Sequence, residues 1–137
     1  MKTVLFVCVH NAGRSQMAEA FTNQLARKCG LPVRALSAGT VAGARINPVA
    51  QAVMAEIGVS MEGQSPRQLT QAVANEADTI ITMGCGVDAE ACPARIFVSE
   101  DWGLDDPAGQ PVETVRDIRD QIKARVERML AEMAGAA

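Results

Sequence analysis

The chain has 137 residues, of which 48% are hydrophobic and 21% charged, a composition typical of one globular domain with a single core. The net charge of −3 and the pI of about 5.1 argue against a nucleic-acid-binding surface. No apolar run approaches the roughly 20 residues needed to cross a bilayer, and the short N-terminal one lacks a small-residue cleavage site. We therefore predict one cytoplasmic, monomeric domain over residues 1–137, with no nucleic-acid or membrane partner.

Apolar runs typical of buried strands alternate with segments of helical periodicity. Strands are predicted over 3–7, 33–36, 78–83 and 95–98. Helices are predicted over 15–29, from the N-cap Asn47 to about 57, from 65 to 74, and over 112–133. In the first helix, Cys29 continues the apolar stripe of Phe21 and Leu25 and is expected to be a packed core thiol. The alternation predicts an α/β fold, a doubly wound four-stranded parallel sheet with helices on both faces.

The turn between the first strand and the first helix carries the strongest chemical signal. Ligands of such sheets bind beyond the carboxyl ends of the strands, where loop N–H groups and a helix N terminus attract anions. Arg14 can hold two oxygens of a tetrahedral oxyanion, and the same positive environment favours a nucleophilic thiolate at Cys8. Ser15 can donate a hydrogen bond to that thiolate. The predicted oxyanion-binding loop consists of Val9, His10, Asn11, Ala12, Gly13 and Arg14. The alternative is that Cys8 only fills the end of a strand.

The pattern Cys8-x5-Arg14-Ser15 resembles the active-site loop of the low-molecular-weight protein tyrosine phosphatases. The extension VHNAGRSQMAEA is more similar to the arsenate reductases that share this fold. The resemblance also includes the segments 37–40, 82–83, 85–92 and 101–107. It implies thiolate attack on a tetrahedral oxyanion, with Asp106, before Pro107, as the general acid that protonates the leaving oxygen. The neighbouring Asp105 is the alternative acid.

Two features favour reduction over phosphotyrosine hydrolysis. The chain has no tyrosine and only three phenylalanines, so an aromatic wall for a phenyl ring is not expected. Cys85 and Cys92 have the spacing of the redox cysteines in thioredoxin-coupled arsenate reductases. That resemblance implies a relay in which Cys85 attacks the Cys8–arsenate adduct, and Cys92 then forms a disulfide with Cys85. Thioredoxin would regenerate the thiols, arsenate would be the substrate in arsenic detoxification, and phosphate and sulfate would compete with it.

Several alternatives remain open at this stage. The protein could be a phosphatase of a non-aromatic phosphoester, a reductase coupled to glutathione, glutaredoxin or mycothiol, or a redox sensor without turnover. His10 could tune Cys8 or face solvent. No bound cofactor is expected, and zinc-module spacings are absent from the sequence. Asn11, Glu19 and Ser37 match three positions of a potassium site in some relatives, which makes a structural potassium ion a further hypothesis.

Overall fold

The computed structural model describes residues 1–84 and 94–135. Its four strands are β1 (Lys2–Cys8), β2 (Val33–Gly39), β3 (Thr79–Thr82) and β4 (Glu100–Asp101). Its four helices are α1 (Arg14–Cys29), α2 (Pro48–Ala55), α3 (Gln71–Asn75) and α4 (Val112–Gly135). In the part of the chain described, no helix is both long and apolar enough to span a membrane.

The four strands form one parallel sheet in the order β2-β1-β3-β4, which confirms the predicted fold class. Side chains of β1 alternate between the two faces, as the pleat requires. Val4 and Phe6 lie in the larger core with α1, α2 and α4, whereas Leu5 and Val7 pack into a smaller cluster that includes residues of α3. Both faces of β1 are therefore covered, which explains why it has no polar alternation.

Two helix boundaries follow directly from local chemistry. The predicted N-cap Asn47 accepts hydrogen bonds from Val49 N at 2.9 Å and Ala50 N at 3.3 Å, and Pro48 occupies the first turn, where a missing N–H costs nothing. Helix α1 ends at Cys29, and the next residue, Gly30, is its C-cap with a left-handed φ of 66°.

Three local predictions are wrong. The fourth strand is Glu100–Asp101 rather than 95–98, where the side chain of Phe97 is 93% exposed. Residues 65–70 are not helical: Gln68 forms a parallel bridge with Gly39, and α3 begins only after the N-cap Thr70. Cys29 is exposed and is not the packed core thiol that was predicted. A helix has 3.6 residues per turn, so the three i to i+4 steps from Met17 to Cys29 rotate the side chain by about 120° away from the apolar face.

Candidate active site

A cavity of about 470 Å³ lies at the carboxyl edge of the sheet, where β1 passes into α1. It is bounded by the loop after β1 on one side and by residues 104–108 on the other. The predicted site residues that line it are Cys8, Val9, His10, Ala12, Gly13, Arg14 and Asp106. Two segments far apart in sequence thus meet at the position expected for a ligand of this fold.

The loop carbonyls are bonded away from this cavity. Four of them accept main-chain N–H groups from the segment 40–47: Cys8 O from Thr40, Val9 O from Val41, His10 O from Gly43 and Ala12 O from Asn47. Gly13 O accepts the N–H of Met17, and Asn11 O accepts Gln16 Nε2 at 3.1 Å. Since a trans peptide points its N–H opposite to its carbonyl, this bonding turns N–H groups of the loop towards the cavity, where they could bind an anion.

The Cys8 sulfur is buried and has two polar neighbours. Asn11 N donates to Cys8 Sγ at 3.2 Å, and Ser15 Oγ lies 2.8 Å from it. Asn11 Oδ1 accepts the main-chain N–H of Arg67 at 2.8 Å, so the other side-chain atom of Asn11 must be the amide nitrogen. That nitrogen donates to Ser15 Oγ at 2.7 Å, which leaves the Ser15 proton for the sulfur. Both neighbours are therefore hydrogen-bond donors to the Cys8 sulfur.

Asn11 has a left-handed backbone, with a φ of 52°, although it is not a glycine. Asparagine tolerates this region better than most residues, but the conformation costs about 1–3 kcal/mol and persists only where surrounding contacts enforce it. Asn11 is fully buried, and its side-chain oxygen accepts Gln16 Nε2 at 2.9 Å in addition to Arg67 N. These bonds hold its N–H on Cys8 Sγ.

The guanidinium of Arg14 is held from behind by two main-chain carbonyls. Arg14 Nη1 donates to Met83 O at 3.0 Å and to Leu104 O at 2.6 Å, and the residue is 7% exposed. Both bonds use one nitrogen, whereas a guanidinium carries further N–H groups on Nε and Nη2. Arg14 also lines the cavity, so the two carbonyls leave its remaining N–H groups for a ligand in the cavity.

Asp105 and Asp106 both line the cavity opposite the loop. Asp106 Oδ1 accepts Ala108 N at 3.0 Å, which fixes the turn that carries this carboxyl. Pro107 lies against Gly13 so closely that a Cβ there would stand 2.8 Å from Pro107 Cγ. The turn is therefore packed directly on the loop after β1, residues 9–14, which we call the anion loop. The choice of Asp106 over Asp105 as the acid stays a prediction.

The remaining predicted site residues are His10 and the redox cysteines Cys85 and Cys92. The His10 side chain is exposed at the rim of the cavity, where its Nδ1 donates to Val41 O at 3.1 Å. This bond turns the ring towards the neighbouring loop, and the structure shows no contact from the ring to Cys8 Sγ among the described residues. Cys85 and Cys92 lie outside the described residues, so their part in the relay stays a prediction.

The residues of the potassium hypothesis are engaged with one another and with the loop. Ser37 Oγ donates to Glu19 Oε1 at 2.9 Å, and burial raises the pKa of Glu19 despite this bond and the nearby charge of Arg67. Asn11 Oδ1 already accepts two hydrogen bonds, which occupy both of its lone pairs. The Asn11 side chain therefore does not fit as a cation ligand in this arrangement.

Sequence reasoning did not single out two residues that shape the loop. Gly39 pairs with Cys8 in the sheet register, and Gln16 bonds the loop from α1. The only sequence signal for them was their place in the segments that carry the family resemblance.

Replacing Gly39 by alanine is expected to distort the anion loop. A Cβ at Gly39 would stand 2.5 Å from Val9 O and 2.9 Å from Asn11 N, and these are backbone atoms that cannot move aside freely. We expect a loss of about 1–3 kcal/mol in the free energy of unfolding, measured by urea denaturation, together with weaker phosphate binding. Gly43→Ala is the matched control, because its Cβ would meet nothing closer than 3.5 Å. Equal stability of the two variants would contradict the expectation.

Known proteins are similar to this chain over nearly its whole length. Residues 3–136 match the family model described as low molecular weight phosphotyrosine protein phosphatase. The chain is 37% identical to the glutaredoxin arsenate reductase of Synechocystis, over 98% of this chain and 100% of the relative. A solved arsenate reductase in the phosphate-binding state is 39% identical, with a TM-score of 0.80 over 96% of this chain and 98% of that one. The thioredoxin-dependent arsenate reductase of Corynebacterium glutamicum is 31% identical, with a TM-score of 0.78 over 100% of this chain and 64% of that one.

Proposed function

The chain belongs to the low molecular weight phosphotyrosine protein phosphatase family, and we propose that within this family it is a thiol-dependent arsenate reductase. The observation that carries the proposal is the buried Cys8 sulfur, held between an amide and a hydroxyl donor in a cavity lined by Arg14. The relatives described as arsenate reductases, which match nearly the whole chain, support arsenate as the substrate. The protein would act in the cytoplasm, in arsenic detoxification.

The first step would be attack of the Cys8 thiolate on arsenic. The loop amides and Arg14 would stabilise the negative charge on the arsenate oxygens as the new sulfur–arsenic bond forms. One arsenate oxygen would leave as water, with Asp106 providing the proton from its side of the cavity. No electrons have been transferred to arsenic at this point. Phosphate and sulfate, which have the same shape and charge pattern, would compete for the cavity.

The reduction itself would use the cysteine relay predicted from the sequence. The Cys85 thiolate would attack Cys8 Sγ, breaking the sulfur–arsenic bond, so that its electron pair leaves on arsenic as arsenite and a Cys8–Cys85 disulfide forms. Cys92 would then attack Cys85, which frees the Cys8 thiolate and leaves a Cys85–Cys92 disulfide. An external dithiol would reduce this disulfide with two electrons, completing the cycle.

Thioredoxin is the electron donor that we propose, because both Cys85 and Cys92 are present, as in the thioredoxin-coupled reductases that the chain resembles. One relative of the chain is described as thioredoxin-dependent, which supports this donor. Another is described as a glutaredoxin arsenate reductase, so a glutaredoxin-coupled cycle is the alternative that the test must separate.

The test is NADPH consumption by the purified protein with arsenate, supplied in parallel with thioredoxin and its reductase or with glutathione, glutaredoxin and glutathione reductase. We expect arsenate-dependent oxidation in the thioredoxin system. Cys92→Ser should lose this turnover but still release about one arsenite per protein, because only the second disulfide is missing. Full turnover of Cys92→Ser with thioredoxin would contradict the three-thiol relay.

Three further outcomes would distinguish the alternatives for the electron donor and for the reaction class. Turnover only in the glutaredoxin system would replace the donor but keep arsenate reduction. Arsenate-independent release of phosphate from an alkyl phosphate, without arsenate-dependent oxidation in either system, would favour a phosphatase of non-aromatic phosphoesters. Absence of both reactions would leave the redox-sensor hypothesis.

A further inference from the structure

Gln16, in the first turns of α1, makes an unusual set of hydrogen bonds for a buried side chain. It is 1% exposed, and its Nε2 lies within hydrogen-bonding distance of Asn11 O at 3.1 Å, Asn11 Oδ1 at 2.9 Å and Ser65 O at 2.9 Å. An amide nitrogen has two protons, so one proton is directed to Ser65 and the other is shared between the two oxygens of Asn11. Gln16 thus ties the anion loop to the segment around residue 65.

The orientation of the Gln16 amide is determined by its surroundings. Main-chain carbonyls can only accept, so the atom facing Asn11 O and Ser65 O must be nitrogen. Gln64 Nε2 donates to Gln16 Oε1 at 2.7 Å and also to Gln16 O at 3.1 Å. Because the main-chain Gln16 O can only accept, the Gln64 atom that faces it must also be nitrogen. The Gln16 side-chain atom that this nitrogen bonds is therefore the oxygen Oε1. The amide cannot flip without losing bonds at both ends.

The bond to Asn11 O differs from those made by the other loop carbonyls. The carbonyls of residues 8, 9, 10, 12 and 13 accept main-chain N–H groups, whereas the donor to Asn11 O is the side chain of Gln16. Asn11 is also the residue with the left-handed backbone. The peptide between Asn11 and Ala12 is therefore the part of the loop whose orientation depends on a replaceable side chain.

We propose that Gln16 is a positioning residue that holds the Asn11–Ala12 peptide with its carbonyl turned away from the cavity, so that the Ala12 N–H points at a bound oxyanion. A rotated peptide would instead present a carbonyl oxygen to the cavity that Ala12 lines. This would replace a donor to the anion by an acceptor that repels it. Gln16 does not line the cavity, so it acts through the backbone and not by contact with substrate.

The inference concerns the oxyanion step of the proposed function, but it can be tested without arsenate turnover. The experiment titrates inorganic phosphate into the reduced, isotopically labelled full chain and follows the amide resonances of the loop by NMR. In the parent protein, the Ala12 amide proton should shift downfield on phosphate binding, because it forms a charge-assisted hydrogen bond. In Gln16→Met, which keeps the length of the side chain, this shift should disappear and the Kd for phosphate should rise about tenfold.

Gln24→Met is the matched control on the same helix, because Gln24 Nε2 donates to Gly58 O at 3.0 Å and lies outside the cavity. It should keep the parent Kd and the Ala12 shift. A Gln16→Met protein that retains both would overturn the proposal, even if it were less stable. Equal weakening of phosphate binding in the two variants would also overturn it, because the effect would then reflect a loosened α1.

A second variant covers the case in which Gln16→Met does not fold. Gln64→Met leaves Gln16 in place but removes the donor that orients its amide. We expect a smaller rise in the phosphate Kd, about threefold, and a reduced Ala12 shift. An unchanged Kd and an unchanged Ala12 shift in Gln64→Met would overturn the proposal in that case. None of these results depends on whether the protein reduces arsenate, so failure of the two proposals can be distinguished.

Discussion

Replacing Cys8 by serine should reduce arsenate-dependent turnover to the background of the assay, a loss on the order of 10⁴-fold or more. A serine hydroxyl is not ionised at neutral pH, so the amide of Asn11 and the hydroxyl of Ser15 would have no thiolate to stabilise. A serine oxygen also cannot form the disulfide that carries the electron pair to arsenic. The measurement is NADPH oxidation with thioredoxin and its reductase, with and without arsenate.

The same variant should keep phosphate binding within a few-fold of the parent, because the loop amides and Arg14 are unchanged. Cys29→Ser is the matched control, since Cys29 is an exposed thiol at the end of α1, and it should retain full turnover. Arsenate-dependent turnover by Cys8→Ser would show that the attacking thiol lies elsewhere. Loss of turnover in Cys29→Ser would show that the effect is not specific to the cavity.

Arg14→Lys should weaken phosphate binding and lower turnover by roughly 10²–10³-fold, although the positive charge is retained. One ammonium group cannot bond Met83 O and Leu104 O and also present a planar fork to an oxyanion. The substitution should also cost about 1–3 kcal/mol in the free energy of unfolding, because buried carbonyls lose their donor. Isothermal titration with phosphate and urea denaturation measure the two effects.

Arg116→Lys is the matched control for this substitution. Arg116 is a half-exposed residue of α4 that forms a bidentate pair with Glu56, away from the cavity. This pair holds the pKa of Glu56 below its usual range, through the hydrogen bonds and charge of Arg116 and then those of Arg119. Phosphate binding should not change in Arg116→Lys. A similar loss of phosphate affinity in both lysine variants would contradict a special role for Arg14.

Elements with strong local signals were predictable from the sequence. Apolar runs located β1 and β3 to within a residue or two, and Asn47-Pro48 marked the start of α2. Helix α4 was predicted over almost its whole length, starting at Val112, because an apolar face that repeats over many turns is a strong helical signal. Cys8, Arg14 and Ser15 lie within one stretch of eight residues, so one short loop was enough to predict oxyanion chemistry.

Two features were predicted wrongly, one because it depends on distant partners and one because residue spacing alone does not account for helical rotation. Strand β4 has two residues and exists because Glu100 and Asp101 pair with Ile81 and Thr82, whereas the more apolar stretch just before it does not form a strand. Cys29 continues the i, i+4 spacing of apolar residues in the sequence, but the rotation of a straight helix places its side chain in solvent. In both cases the pairing or the helical twist overrides local composition.

The sequence by itself determined the fold class, the place of the anion loop and the residue types that can attack and hold an oxyanion. Those properties depend on periodicity and on residues close together in the chain. Only the tertiary structure decided how the site is oriented. Leu104 O, 90 residues away, holds Arg14, and Gln16 and Arg67 hold the left-handed Asn11. Hydrogen bonds between segments that meet only in the folded state leave no local pattern, because any residue can supply the main-chain partner.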